Sequence, residues 1–388
     1  MIGCAIAHGL ARRGARVTVI ERTGVAAEAS GAAAGILAPR VYNADEPVFA
    51  LALASDPLFG PLLDDLRAAT DLDTQYVRSG VLDLAFVETD AKRLQDKQSR
   101  LLGHGHDVRW LSARETIEIE PEVSEGVLGA FYDADAHHIH PERFTRALAQ
   151  AAARRGARFQ LGVDAIGLTG EGGRATAVRT STGNVAAGHV IIATGSWSTF
   201  SEDWIKAPVP IYPAKGQILT VAALPSPIRH ILNQHSLHGG GGGQAVDGLR
   251  GGRGIYLVPR VDGTVVVGAT IERVGYDRAL TASALAWLLG SIPSLVPSLR
   301  DARFDRAWTG LRPATPDELP IVGRAPGWEN VTLATGHYRS GIMLAPITAA
   351  LVTRLILDGE RDPLLDALDP ARFSHGGGAR QSSETAVQ

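Results

Sequence analysis

The chain has 388 residues, 45% hydrophobic, 20% charged and 6% aromatic, which suits a globular core and excludes a disordered or fibrous protein. Its 38 basic and 41 acidic residues leave a formal net charge of -3, with no electrostatic footprint for nucleic acid or an anionic membrane surface. One cysteine, Cys4, excludes a disulfide framework and a cysteine-built metal or iron–sulfur site, and no apolar run reaches the roughly 18 residues of a membrane span. With no charged-then-apolar leader, the expectation is a soluble, cytoplasmic protein of about two domains. Lys92, Lys97, Lys206 and Lys215 are the four lysines, so a functional arginine has to stand out by context.

Residues 2–15 (IGCAIAHGLARRGA) predict a helix with Ile2, Ala5, Ile6 and Leu10 on one face and Gly14 at its end. Residues 16–21 (RVTVIE) predict a short β-branched strand that ends on an acid. Helix, tight turn and acid-ended strand form the second half of a dinucleotide-binding βαβ unit. There the helix N-terminus holds the pyrophosphate and the acid bonds a ribose hydroxyl. Glu21 lies 18 residues beyond Gly3. That fits the usual spacing of about 20 if Gly3 is the last glycine of G-x-G-x-x-G. The motif's first strand and first two glycines are not in the sequence. The expectation is a true start roughly 15 residues upstream, since losing a buried parallel strand would bare both neighbouring edges. The alternative is a shortened protein.

Residues 26–39 are a run of small side chains ending in Ile36-Leu37-Ala38-Pro39. They read either as a flexible linker or as backbone built to approach a flat ring closely. Helices are predicted over 48–69, 141–156 and 346–358, and strands near 79–86, 157–168, 174–181, 189–195 and 217–221. Residues 255–260 and 264–270 predict a hairpin around Val261-Asp262-Gly263. The Gly239–Gly243 run predicts a mobile loop, because no helix or P-loop lysine follows to make it a phosphate cradle. The histidines of 103–106 and 133–140 are expected in a loop and at a strand start, with no metal. The pattern predicts two interleaved domains and a disordered tail over 375–388. One domain binds a nucleotide and draws on the first, middle and last thirds; the other is a mostly antiparallel sheet inserted twice.

Four segments carry a more specific signal. They are the half-motif through Glu21, then 30–39 (SGAAAGILAP), then 256–260 (YLVPR) with 267–270 (VGAT). The last is 308–313 (WTGLRP) with 320–323 (PIVG) and 336–346 (GHYRSGIMLAP). Together they resemble flavin-dependent amine oxidases of the D-amino-acid oxidase family, and within it the glycine-oxidising branch of thiamine biosynthesis. The resemblance implies an α/β fold. A Rossmann-like FAD-binding domain would cover 1–75, 140–205 and 313–374, interleaved with a mostly antiparallel substrate domain over 76–139 and 206–312.

It also implies FAD as cofactor. Met1, Ile2 and Gly3 would meet the pyrophosphate, and Glu21 and Arg22 the adenosine ribose. Ala29, Ser30, Ala34, Gly35 and Ile36 would lie along the dinucleotide and isoalloxazine, Ala165 at the adenine, and Thr194 and Gly195 at a second nucleotide contact. His337, Tyr338, Arg339, Ser340, Gly341, Ile342 and Met343 would pass under the ring's carbonyl edge, with backbone N–H groups facing negative charge. Arg312 and Arg339 would hold the substrate carboxylate, for which a planar guanidinium offers two parallel bonds. Arg339 stands out inside an apolar, glycine-flanked loop. Tyr256 would line the same pocket, with plain core packing an equal alternative. Ile271 and Gly254 stand where relatives carry methionine and histidine, which leaves substrate preference open.

The implied reaction is oxidative deamination of glycine, a small amine or a D-amino acid to the keto acid, ammonia and hydrogen peroxide. Oxygen would be the acceptor, and no catalytic side-chain acid or base, nucleophile or metal is needed. A quinone-linked dehydrogenase and a non-catalytic truncated remnant are the alternatives, and a homo-oligomer is compatible with either.

Overall fold

The computed structural model describes residues 1–42, 46–222, 228–234 and 254–374. The Gly239–Gly243 run and the 375–388 tail lie outside the described residues. Ile2–Arg12 is a helix whose Cys4, Ala5, Ile6, Ala7, Leu10 and Ala11 are buried. Small side chains on that face let it nest against the helices Pro141–Arg154 and Ala345–Leu357, with Gly9 against Ala349 and Thr353. The strand Thr18–Glu21 then pairs in parallel with Arg158–Leu161, and Val190–Ile192 pairs in parallel with Val331–Thr335. A doubly wound sheet runs a further strand between two such pairs. Among the described residues none joins Thr18–Glu21 to Val190–Ile192, and both strands face the same cavity.

Residues 48–69 are two helices rather than the predicted one. Pro47–Ser55 and Phe59–Ala69 are separated by a 3-10 turn at Asp56–Leu58, where Pro57 removes a backbone donor from the ladder. Their buried Phe59, Leu63 and Leu66 join Ile6, Phe144, Leu351 and Val352 in one core.

A second core is built on an eight-stranded sheet. Its order is Arg303–Ala314, Tyr212–Ala222, Thr264–Gly268, Ile255–Pro259, Ile231–Gln234, Val81–Ala85, Gly129–Asp133 and Arg109–Ser112. Neighbours are antiparallel except Ile231–Gln234 with Val81–Ala85. Side chains alternate between its two faces. One face buries Leu82, Leu84, Leu219, Val221, Leu257 and Val267 against Leu288, Ile292 and Leu295 of the helix Ala282–Leu295. Each such side chain contributes roughly 1.5–3 kcal/mol. The other face packs Val81, Ile218, Ile231, Val258 and Val266 against Ala34 and Ala38. This second face positions the site.

The hairpin forms as the sequence predicts. Gly263 takes a φ of +83°, and Asp262 Oδ1 accepts the Thr264 N–H and hydroxyl. The strand expected over 217–221 is much longer, Tyr212–Ala222. Lys215 and Gln217 interrupt its apolar pattern yet are buried, because each finds polar partners inside. Lys215 Nζ meets Glu272 Oε2 and Asp277 Oδ2, both at 3.2 Å. Gln217 Nε2 donates to Glu272 Oε1 (2.9 Å) and Thr281 Oγ1 (3.0 Å). Among the described residues no helix is long and apolar enough to cross a membrane.

Candidate active site

A cavity of about 2180 Å³ runs between the parallel strand pairs and the second face of the large sheet. An ordinary ligand pocket holds roughly 300–1,000 Å³, so this one has room for a dinucleotide and a small substrate together.

The first helix supplies one wall, lined by Met1, Ile2 and Gly3. No side chain caps its N-terminus, and the Met1 amino group donates to Ser30 Oγ at 2.9 Å. Unfilled N–H groups at a helix start are a ready anion site. Glu21 lines the cavity where its strand ends, with Oε1 accepting the Thr23 N–H at 2.9 Å. Arg22 lies 4.4 Å over the Trp197 ring and 3.5 Å from Glu28. Ala165, at the head of the strand Ala165–Glu171, lines the same space.

Thr194 and Gly195 line it too, in a turn with a Gly195 φ of +56°. A hydroxyl network that the sequence does not reveal fixes this turn. Ser198 Oγ bonds Thr194 Oγ1 (3.0 Å) and Thr335 Oγ1 (2.7 Å), and Ser196 Oγ donates to the Leu311 carbonyl (2.7 Å). Two of these three bonds join residues more than a hundred apart.

The small-residue run is no flexible linker. It forms a short helix, Ala29–Ala32, and a strand, Ile36–Leu37, pressed onto the large sheet. Trp308 Nε1 donates to the Ala32 carbonyl at 3.1 Å, and a Cβ on Gly310 would come within 2.6 Å of the Ala32 Cβ. Ala29, Ser30, Ala34, Gly35 and Ile36 all line the cavity.

The sheet wall carries Tyr256 and Arg312, with Ile271 just beyond the hairpin. Two strand glycines make room for them. A Cβ on Gly216 would sit 2.3 Å from the nearest guanidinium nitrogen of Arg312, and one on Gly268 would sit 2.4 Å from the Tyr256 hydroxyl. Isolated glycines in strands signal such close approach, but the residue each makes room for is not visible in the sequence. Arg312 also donates to the Thr270 carbonyl at 3.1 Å. Burial pushes the Tyr256 phenol pKa up, although Arg312 beside it pulls the other way.

The 336–343 segment turns sharply, with φ of +75° at Gly336 and +45° at Tyr338. His337, Tyr338, Arg339, Gly341, Ile342 and Met343 line the cavity. Among the described residues nothing accepts the N–H groups of Gly341, Ile342 and Met343. Two expectations change here. Ser340 does not line the cavity; it is buried, and its hydroxyl is hydrogen-bonded to Tyr42 at 2.8 Å. Arg339 lines the cavity but is not enclosed: its side chain is 47% exposed, 3.9 Å from Glu318. Its apolar neighbours Tyr338, Ile342 and Met343 are themselves buried, so the apolar flanks report the packing of the turn and not the surroundings of the guanidinium.

A family model described as DAO, FAD dependent oxidoreductase, matches residues 1–355. The chain belongs to the DAO family of FAD-dependent oxidoreductases. It is 35% identical over 380 residues to the bifunctional protein ThiO/ThiG of Trichormus variabilis, covering 96% of this chain and 54% of that protein. The chain thus spans about half the length of that relative. It is 32% identical over 376 residues to glycine oxidase of Geobacillus kaustophilus, covering 96% of this chain and 94% of that one. The crystal structure of glycine oxidase from the same organism superposes with a TM-score of 0.87 at 30% identity, covering 96% of both chains. FAD is therefore the family's cofactor, and three features of the cavity suit it. They are an uncapped helix N-terminus, unclaimed N–H groups in the 341–343 turn and a glycine-cleared sheet face.

Proposed function

We propose that this protein oxidises glycine or another small amine-bearing carboxylic acid. FAD would lie along the first helix, Glu21, the Ala29–Ile36 segment and the 336–343 turn, and Arg312 would hold the substrate carboxylate. On this reading 1–75, 140–205 and 313–374 form the cofactor domain, and 76–139 with 206–312 the substrate domain. When bound, FAD supplies the acceptor for the hydride lost from the substrate α-carbon and passes the electrons to oxygen. The observation that carries the reading is Arg312, seated over Gly216 and beside Tyr256 on the cavity wall. A fixed, planar fork orients a carboxylate as well as attracting it, and orientation of the α-carbon is what this reaction needs.

The test is spectroscopic. Protein loaded with FAD is expected to lose its visible flavin bands when glycine is added without air, and to release peroxide and ammonia when air is admitted. Bleaching without peroxide would assign a dehydrogenase. No bleaching by glycine, sarcosine or small D-amino acids would overturn the reading.

Gly216→Ala separates the site from the scaffold. The three atoms nearest its Cβ all belong to the Arg312 guanidinium, a side-chain end and not backbone, so the melting temperature should stay within a few degrees of the parent. The guanidinium must move by about 1 Å, and kcat/KM for glycine should fall by up to about 100-fold. An unchanged kcat/KM would remove Arg312 from the pocket.

A further inference from the structure

We propose that Arg260 is a positioning residue for the flavin site, a buried cation that locks the Ala34–Gly35 turn from behind. Arg260 ends the YLVPR segment, is 9% exposed and does not line the cavity. Its two terminal nitrogens donate to two backbone carbonyls, those of Ala34 (2.7 Å) and Ile139 (3.1 Å). The same two strands of chain are tied again by the Ile139 N–H, which donates to the Gly35 carbonyl at 2.9 Å. Gly35 itself has a φ of +75°, and a Cβ there would lie 2.0 Å from the Ile139 carbonyl oxygen. Turn, fork and neighbouring chain therefore interlock at one point.

Among the described residues no carboxylate lies within ion-pair distance of Arg260, and Asp262 acts on it only through space. The nearest in sequence, Asp262, is engaged by Thr264. On the same face of the sheet Val258 and Val266 are fully or almost fully buried, and the charge also faces His138 and His140. Burying a guanidinium there is costly, and packing alone would be served by methionine. What methionine and lysine cannot do is reach two divergent carbonyls from one rigid plane. The cation also stands directly behind a turn that, on the functional reading above, runs along the flavin, and a buried positive charge favours the more negative, reduced form.

Arg260→Met and Arg260→Lys test this without any amine substrate. In both, amide hydrogen exchange at 34–36 and 139 should speed up, with or without FAD. The FAD dissociation constant of the methionine variant, followed by flavin fluorescence, should rise by about tenfold or more, as expected for two lost charge-assisted bonds. Its flavin midpoint potential should become more negative. The lysine variant should restore the potential but only part of the affinity. Exchange, affinity and potential all equal to the parent in both variants would overturn the proposal. Because none of these readouts needs turnover, they stay separate from the functional reading, which fails only if bound flavin is not reduced by any amine.

Discussion

Arg312→Ala is expected to raise the Michaelis constant for glycine by two to four decades while leaving the bound flavin's visible spectrum unchanged. The guanidinium is half-buried, hydrogen-bonded to the Thr270 carbonyl and seated over Gly216, so its plane is fixed before any ligand arrives. Behind it, Thr270 is tied to Gln217, and Gln217 to Glu272 and Thr281. Removing one partner of a buried charge pair costs roughly 3–5 kcal/mol, which is about two to four decades of affinity. Arg312→Lys should recover only part of the loss, since a point charge cannot set the carboxylate plane. Inhibition by small carboxylates should weaken in parallel. Arg339→Ala is expected to cost far less, within about tenfold, because an exposed guanidinium already near Glu318 is screened by water. Steady-state kinetics on the three variants decides the matter. If Arg339→Ala loses more than Arg312→Ala, the carboxylate is held at the 336–343 turn and the sheet wall is only scaffold.

That contrast between two arginines shows what the sequence could and could not convey. Both stand in motif segments, and nothing local to either reveals which is enclosed. Room for the Arg312 guanidinium comes from Gly216 on the neighbouring strand, a diagonal neighbour two positions from the residue paired with Arg312, Ala214. Gly216 lies between Lys215 and Gln217, just ahead of the strand predicted over 217–221, so neither the role of the glycine nor its partner is legible locally. Elements with clean periodicity were read directly: the first helix, the 141–154 helix and the hairpin ending at Gly268. The helix Glu88–Gly103 gives little signal in the sequence because it is heavily charged and buries only Asp90, Ala91, Leu94, Lys97 and Leu101. Ala282–Leu295 escaped for the opposite reason, being apolar on nearly every side. Long-range satisfaction of buried polar groups was least visible. Lys215, Gln217 and Arg260 look like surface residues in a one-dimensional pattern, and each is buried by partners distant in the chain.

Acidification from pH 7 to pH 5 is expected to remove about 6 kcal/mol of stability through three buried histidines. His137, His138 and His337 are each no more than 5% exposed. Burial holds their folded pKa values at about 4, about 3 and about 3. Positive neighbours add to this: Arg78 and then Arg40 at His137, Arg260 at His138 and the terminal amino group at His337. In the unfolded chain each would titrate near 6.5. Between the folded value and 6.5 the unfolded state binds more protons, so stability rises with pH across that window. Their contribution is complete above pH 6.5 and drains away as pH falls towards 4. At pH 5 each histidine has lost about 2 kcal/mol, against a total of roughly 5–15 kcal/mol for a typical domain. The carboxyls of half-buried Asp56 and fully buried Asp133 oppose the trend, because desolvation raises their pKa values and favours protonation in the folded state. His138 allows a clean single-site check, since its Nδ1 has no hydrogen-bond partner and an apolar side chain can replace it. Urea midpoints at pH 7 and pH 5 should show that His138→Leu shrinks the acid-induced loss by about 2 kcal/mol. A loss equal to the parent's would mean that His138 already carries its proton in the folded protein, and that burial at this strand does not keep it neutral.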